Sequence, residues 1–152
     1  MTYPIVPYKA DKTMSLTTAK TILLLEDESD VMDFLRHMLK KYSVIEAPTA
    51  EHALRLFTQH GRHVDLLIAD VTLPKSSGIQ VALLLRSELP DLPVILTSGY
   101  PVSDWTVRAY SDMERLGTRS ALLFQKPFQA QALLNAVSEL IGMSQPQKAR
   151  TA

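Results

Sequence analysis

The chain alternates short apolar runs with stretches whose apolar residues recur at helical spacing. TILLL (Thr21 to Leu25) is a continuous apolar run of strand length, the mark of a strand covered on both faces. Val31, Phe34, Leu35, Met38 and Leu39 then fall at i, i+3, i+4, i+7 and i+8, one helical stripe, with Ser29 or Asp30 able to cap its start. YSVIEA (Tyr42 to Ala47) reads as a more polar, edge-like strand, and Ala50, Ala53, Leu54 and Phe57 make a helical face that Gly61 ends. VDLLIA (Val64 to Ala69) predicts a third strand, Ile79 to Leu89 a third helix and PVILT (Pro93 to Thr97) a fourth strand. Ser103 to Leu116 predicts a fourth helix ended by Gly117, ALLF (Ala121 to Phe124) a fifth strand, and Leu133, Leu134, Val137, Leu140 and Ile141 the face of a last helix.

Five strand–helix units with short connections and right-handed crossovers demand an α/β fold, a doubly wound parallel sheet with helices on both faces. The common flavodoxin-like order for five strands is 2-1-3-4-5, with strand two at an edge. Residues 21–142 form this domain, preceded by a flexible extension over residues 1–20, in which Met14 is an alternative start, and followed by a frayed tail over residues 143–152.

The 152 residues suit one domain and include no cysteine, which excludes disulfides and thiolate metal sites. Sixteen basic and sixteen acidic side chains leave no net field toward nucleic acid or anionic lipid. No apolar run is long enough to span a bilayer, and the prolines at 4 and 7 break any signal-peptide pattern, so the expectation is a soluble cytoplasmic protein.

In such a sheet, ligands bind outside the carboxyl ends of the strands, where the strand order reverses. Glu26 and Asp27 follow the first strand, Asp70 the third, Ser98 and Gly99 the fourth, and Lys126 and Pro127 come just beyond the fifth. Three carboxylates brought together repel unless a proton or cation intervenes, and oxygen ligands suit Mg²⁺. Lysine binds phosphate, and an aspartate can become an aspartyl phosphate. Taken singly, each residue has a plainer explanation: Asp70 as a turn residue, Glu26 to Glu28 as a solvated run favouring a helix N-terminus, Ser98-Gly99 as a turn, Lys126-Pro127 as a helix start. Their convergence on the one rim where the fold places ligands outweighs those explanations.

LLLEDE (Leu23 to Glu28), DVTLPKSSG (Asp70 to Gly78), PVILTSGY (Pro93 to Tyr100) and QKPF (Gln125 to Phe128) stand in an order that resembles the receiver domain of bacterial two-component response regulators, over residues 20–142. The resemblance implies that Glu26, Asp27 and Asp70, with the backbone carbonyl of Thr72, hold Mg²⁺. It implies that Asp70 takes phosphoryl from a sensor histidine kinase or histidine phosphotransfer protein. Ser98, five residues on from Pro93, takes the hydroxyl position beside the small residue Gly99, and Lys126 the phosphate-binding position ahead of a cis proline. Pro74 and Gly78 match the loop that follows the phosphoacceptor. Phosphorylation then reshapes a face near the fourth helix where a downstream protein docks. Such a protein is not an enzyme beyond slow self-catalysed phosphoryl transfer and autodephosphorylation.

The chain departs from the family at two places. Many members carry an aromatic switch three residues before the lysine, where this chain has Leu123; Phe124 next door should face the other way, which leaves Tyr100 as a substitute. The segment from Ser98 to Lys126 is also long, with Trp105 and Tyr110 as either covering or interface aromatics. Rival readings are a receiver cut from a hybrid sensor kinase, a phosphorylation-independent scaffold, and a Mg²⁺-dependent phosphatase, which would want an acid at Thr72. A homodimer through the fourth helix and fifth strand is compatible with the sequence. No basic helix is present to read a nucleic-acid groove, and His37, His52, His60 and His63 are expected to be ordinary exposed imidazoles.

Overall fold

The computed structural model describes residues 19–142, so the expectations for residues 1–18 and 143–152 lie outside the described residues. Five strands, β1 (Thr21–Leu25), β2 (Ser43–Ala47), β3 (Leu66–Asp70), β4 (Val94–Ser98) and β5 (Ala121–Gln125), alternate with five helices, α1 (Ser29–Met38), α2 (Ala50–Gln59), α3 (Gly78–Glu88), α4 (Val107–Leu116) and α5 (Ala130–Ile141). All four pairings are parallel, and the order is β2-β1-β3-β4-β5, as the sequence predicted.

Strand alternation divides the core into two layers. Leu23, Leu25, Leu67, Ala69 and Leu96 face α2, α3 and α4, while Ile22, Leu24, Leu66, Ile68 and Ile95 face α1 and α5. The central strands β3 and β4 are buried throughout, which is why they read as unbroken apolar runs, and the edge strands β2 and β5 are partly exposed. The same alternation sends Leu123 to the α2–α3–α4 side and Phe124 to the opposite side, where it meets Phe128 edge-on at 5.7 Å between ring centroids.

Three local expectations change. Ser29 and Asp30 lie inside α1, whose cap is Glu28 without a side-chain bond, and the Glu28 N–H donates to the Glu26 carboxylate. The α1 stripe is rotated: Met32, Leu35 and Leu39 are buried and Phe34 is 47% exposed, because only the arc facing the sheet meets the apolar surface of β1 and β3. The fourth helix begins at Val107 and not at Ser103. Pro101 opens a single 3₁₀ turn over Val102–Asp104, Trp105 is extended with its ring against the core, and Thr106 supplies the cap by accepting the Ala109 N–H at 3.0 Å. Thr49 and Ser77 cap α2 and α3 in the same way.

Arg86 of α3 ties together segments far apart in sequence. Its guanidinium donates to the carbonyls of Leu92, Leu116, Arg119 and Ser120 at 2.8, 3.1, 2.9 and 3.2 Å, fixing the C-terminal end of α4 and the approach to β5. Among the described residues, no helix is long and apolar enough to cross a membrane.

Candidate functional site

The carboxyl end of the sheet gathers the residues that sequence singled out. Asp70 is the last residue of β3 and only 5% exposed. Its Oδ1 accepts the Thr72 N–H at 3.0 Å and its Oδ2 accepts from Lys126 Nζ at 2.8 Å, so each oxygen has a donor and the plane of the carboxylate is fixed. Lys126, which follows β5 and precedes a cis Pro127, also donates to Glu26 Oε1 at 3.1 Å, spanning 100 residues of sequence. Its backbone N–H holds the Ser98 carbonyl at 2.7 Å, which pins the lysine to the end of β4. Glu28 adds an exposed carboxylate 3.9 Å from the same ammonium, a contact that the acidic run ahead of α1 signalled only as a helix-terminus charge.

Glu26 is more buried than Asp70, at 1% exposed, and its backbone N–H is taken by the Ala47 carbonyl of β2. Burial pushes its carboxyl above the ordinary range, and the neighbouring Asp70 adds to this, while the Glu28 N–H and Lys126 act in the other direction. Burial alone would lower the Lys126 ammonium, but the hydrogen bond and charge of Asp70, joined by Glu26, carry it above its usual value. The lysine therefore stays charged and serves two carboxylates at once.

Asp27 projects into solvent at the mouth. One oxygen from each of Glu26, Asp27 and Asp70 lies within 4.8 Å of the others, and among the described residues this is the only such group of acidic or histidine ligands. The donor set is all oxygen, anionic and open on one side, which fits a hard divalent cation that keeps waters. The histidines play no part: His37, His60 and His63 are exposed, and His52 is half-buried on α2, a small departure from the sequence expectation.

Gly78, the first residue of α3, gives the loop after β3 its shape. A Cβ there would stand 2.3 Å from the Asp70 carbonyl oxygen and 2.9 Å from the Ala69 Cβ, so only glycine lets α3 start against the end of β3. Ser98 ends β4 and is 1% exposed; its hydroxyl donates to the Tyr100 carbonyl at 2.7 Å and accepts the Tyr100 N–H at 3.1 Å. Thr97 stands in register beside Asp70, one position earlier. Thr72 is exposed, and the Tyr100 ring is 56% exposed, so what Tyr100 gives Ser98 comes from its backbone. Trp105, half-buried, packs on the core and meets Tyr110 at 6.1 Å between ring centroids.

Comparisons with known proteins bear on the fold that carries these residues. The profile of the response regulator receiver domain matches residues 22–138. The sensor kinase CckA of Brucella abortus is 31% identical over 135 residues, which is 88% of this chain and only 14% of that kinase. The response regulator receiver protein CpdR of the same bacterium is 27% identical over 124 residues, covering 80% of this chain and 97% of that protein. Among solved structures, a response regulator receiver domain protein from Clostridium thermocellum superimposes with a TM-score of 0.67 at 26% identity, covering 80% of this chain and 94% of that one. With its 2-1-3-4-5 sheet and its acids gathered at the carboxyl end, this chain belongs to the response regulator receiver domain family.

Proposed function

We propose that residues 21–142 act as a phosphoryl-accepting switch, in which Asp70 takes phosphoryl from the phosphohistidine of a sensor kinase or phosphotransfer protein. The observation that carries this reading is the Lys126 ammonium bridging Asp70 and Glu26 beside three converging carboxylates. An Asp70 oxygen forms the new O–P bond as the N–P bond to the donor imidazole breaks, and the imidazole leaves with the electron pair. Glu26, Asp27 and Asp70, with the Thr72 carbonyl, would hold Mg²⁺, which supplies charge neutralisation to the phosphoryl oxygens when bound. Lys126 is already 2.8 Å from Asp70 Oδ2 and needs little movement to pair with a phosphoryl oxygen in its place. The Thr72 N–H holds the other Asp70 oxygen and so orients the acceptor.

The added charge and acceptor oxygens draw the Ser98 hydroxyl from Tyr100 toward the phosphoryl group, and the β4–α4 segment shifts to present a protein-binding face to a downstream target. Turnover is limited to slow self-transfer and autodephosphorylation. Thr72 stands where a phosphatase of this chemistry would want a second acid, which disfavours the enzymatic alternative. The reading is common to a short receiver protein and to a receiver within a longer kinase, since the matched region makes up 97% of CpdR and 14% of CckA. Beryllofluoride, an acyl-phosphate mimic, tests it. Saturable shifts in the amides of Val71 and Thr72 are expected with Mg²⁺ in wild type and none in Asp70→Asn; equal responses in the two proteins would overturn the proposal.

A further inference from the structure

Among the described residues, the Trp105 indole nitrogen is the one buried side-chain polar atom without a partner. A buried donor left unpaired is unfavourable and rare enough to need a reason. Its surroundings supply one. Trp105 shares a cavity of about 490 Å³ with Tyr100, Thr72 and Ser77, on the Asp70 side of α4. On its other side it shares a second cavity, about 550 Å³, with Val102 and Leu123. The indole thus borders two spaces, and the chain carrying it is extended between a 3₁₀ turn and the α4 cap.

A carbonyl of a residue lining the first of these cavities is held at rest by another group. The Ser98 hydroxyl donates to the Tyr100 carbonyl at 2.7 Å. It cannot keep this bond while donating its one proton to a phosphoryl oxygen on Asp70. When it leaves, the Tyr100 carbonyl loses its donor, and Tyr100 lines the same cavity as the unpaired indole.

We propose that Trp105 is a positioning residue for the switch: its indole N–H takes the Tyr100 carbonyl when Ser98 releases it, and so carries the movement of Ser98 to the start of α4. The inference rests on the phosphoacceptor reading of Asp70 and extends it. It also accounts for Leu123. Where β5 lacks the aromatic that many receivers have, an aromatic from the α4 side borders the same space.

The chain has one tryptophan, so its indole ¹H–¹⁵N resonance reports this group alone. In resting Ser98→Ala the Tyr100 carbonyl has no hydroxyl donor, and the indole proton is expected to move downfield of its wild-type position. The same movement is expected in wild type saturated with Mg²⁺ and beryllofluoride. Trp105→Phe keeps an aromatic side chain, removes the N–H and loses part of the indole's bulk; it should bind beryllofluoride about three- to tenfold more weakly, the worth of one hydrogen bond made only in the bound state. Its thermal stability should fall because the smaller ring leaves space at the core, so the hydrogen bond is read from the affinity loss together with the indole shift in Ser98→Ala. An indole resonance that stays in place in either Ser98→Ala or the saturated wild type overturns the proposal, as does unchanged affinity in Trp105→Phe. If the Val71 and Thr72 amides still respond to beryllofluoride, the phosphoacceptor reading survives that failure; if they are silent, that reading falls and takes this proposal with it.

Discussion

The Asp70 pocket and the β4–α4 segment are neighbours on the same rim and are built in opposite ways. Around Asp70 each carboxylate oxygen has its donor, Lys126 serves two acids, and Gly78 closes on the backbone with no room for a methyl group. From Tyr100 to Leu116, two cavities flank an unpaired indole, Val107 is 85% exposed and Tyr110 is 44% exposed. The contrast separates two physical needs. Phosphoryl chemistry requires charges fixed in advance, because reorganising them raises the barrier. A response to that chemistry requires a segment with a second arrangement close in energy, and tightly packed, fully paired regions have none.

The sharpest way to break this comparison uses glycines. Gly78→Ala forces a Cβ into the Asp70 carbonyl and the Ala69 side chain, both on a buried strand that cannot yield. A loss of about 3 kcal/mol is expected, roughly 10 °C in melting temperature, together with displacement of the Asp70 carbonyl. Gly99, one residue after Ser98, has nothing within 4 Å of its would-be Cβ, and Gly99→Ala should change stability by less than about 0.5 kcal/mol. Comparable melting losses in the two variants would show that the regions do not differ in tightness.

A second test asks where the loose segment is anchored. Three of the four carbonyls on Arg86, those of Leu116, Arg119 and Ser120, hold the far end of α4, so the helix has a fixed C-terminus and an adaptable N-terminus. Arg86→Ala should destabilise the fold by about 2 kcal/mol in urea unfolding, less than Gly78→Ala because part of this surface can be rehydrated. Arg86→Lys should recover little, since an ammonium cannot reproduce a planar fork aimed at several carbonyls. Full recovery by lysine would reduce Arg86 to a charge and remove the anchor.

How legible each region was in the sequence follows the same division. The central strands were readable because burial on both faces leaves unbroken apolar runs, and the acids were readable because the fold puts strand ends on one rim. Gly78 could be placed in its loop, but the reason for it is a clash with Asp70, eight residues earlier, that no local pattern carries. Ser103 reads as a helix start until Thr106 and the docked Trp105 ring compete with it. The Arg86 bonds to Leu116, Arg119 and Ser120 reach across 30 to 34 residues, and the orphaned indole is a property of packing. Periodicity reports which face is buried; it is silent about which polar group ends without a partner.

The smallest expected effect has the opposite sign and bears on the tight region itself. Burial raises the Glu26 carboxyl, so its charged form is the one the folded state disfavours. With the folded value above the ordinary 4.5, this group's contribution to stability is greatest below that value and is lost as pH rises through the folded one. Glu26→Gln keeps the shape and removes the charge, while Lys126 retains Asp70 at 2.8 Å. At neutral pH without metal the variant should therefore be more stable than wild type by about 1 kcal/mol, or roughly 3 °C. The advantage should shrink as pH falls, because the raised wild-type carboxyl takes up its proton before an ordinary one would. Beryllofluoride binding with Mg²⁺ should weaken in the same variant, because one anionic ligand is gone. A Glu26→Gln protein less stable than wild type at neutral pH would mean that the Lys126 bond to Glu26 outweighs the burial of its charge, and that the pocket is held together by the acid it was expected to strain.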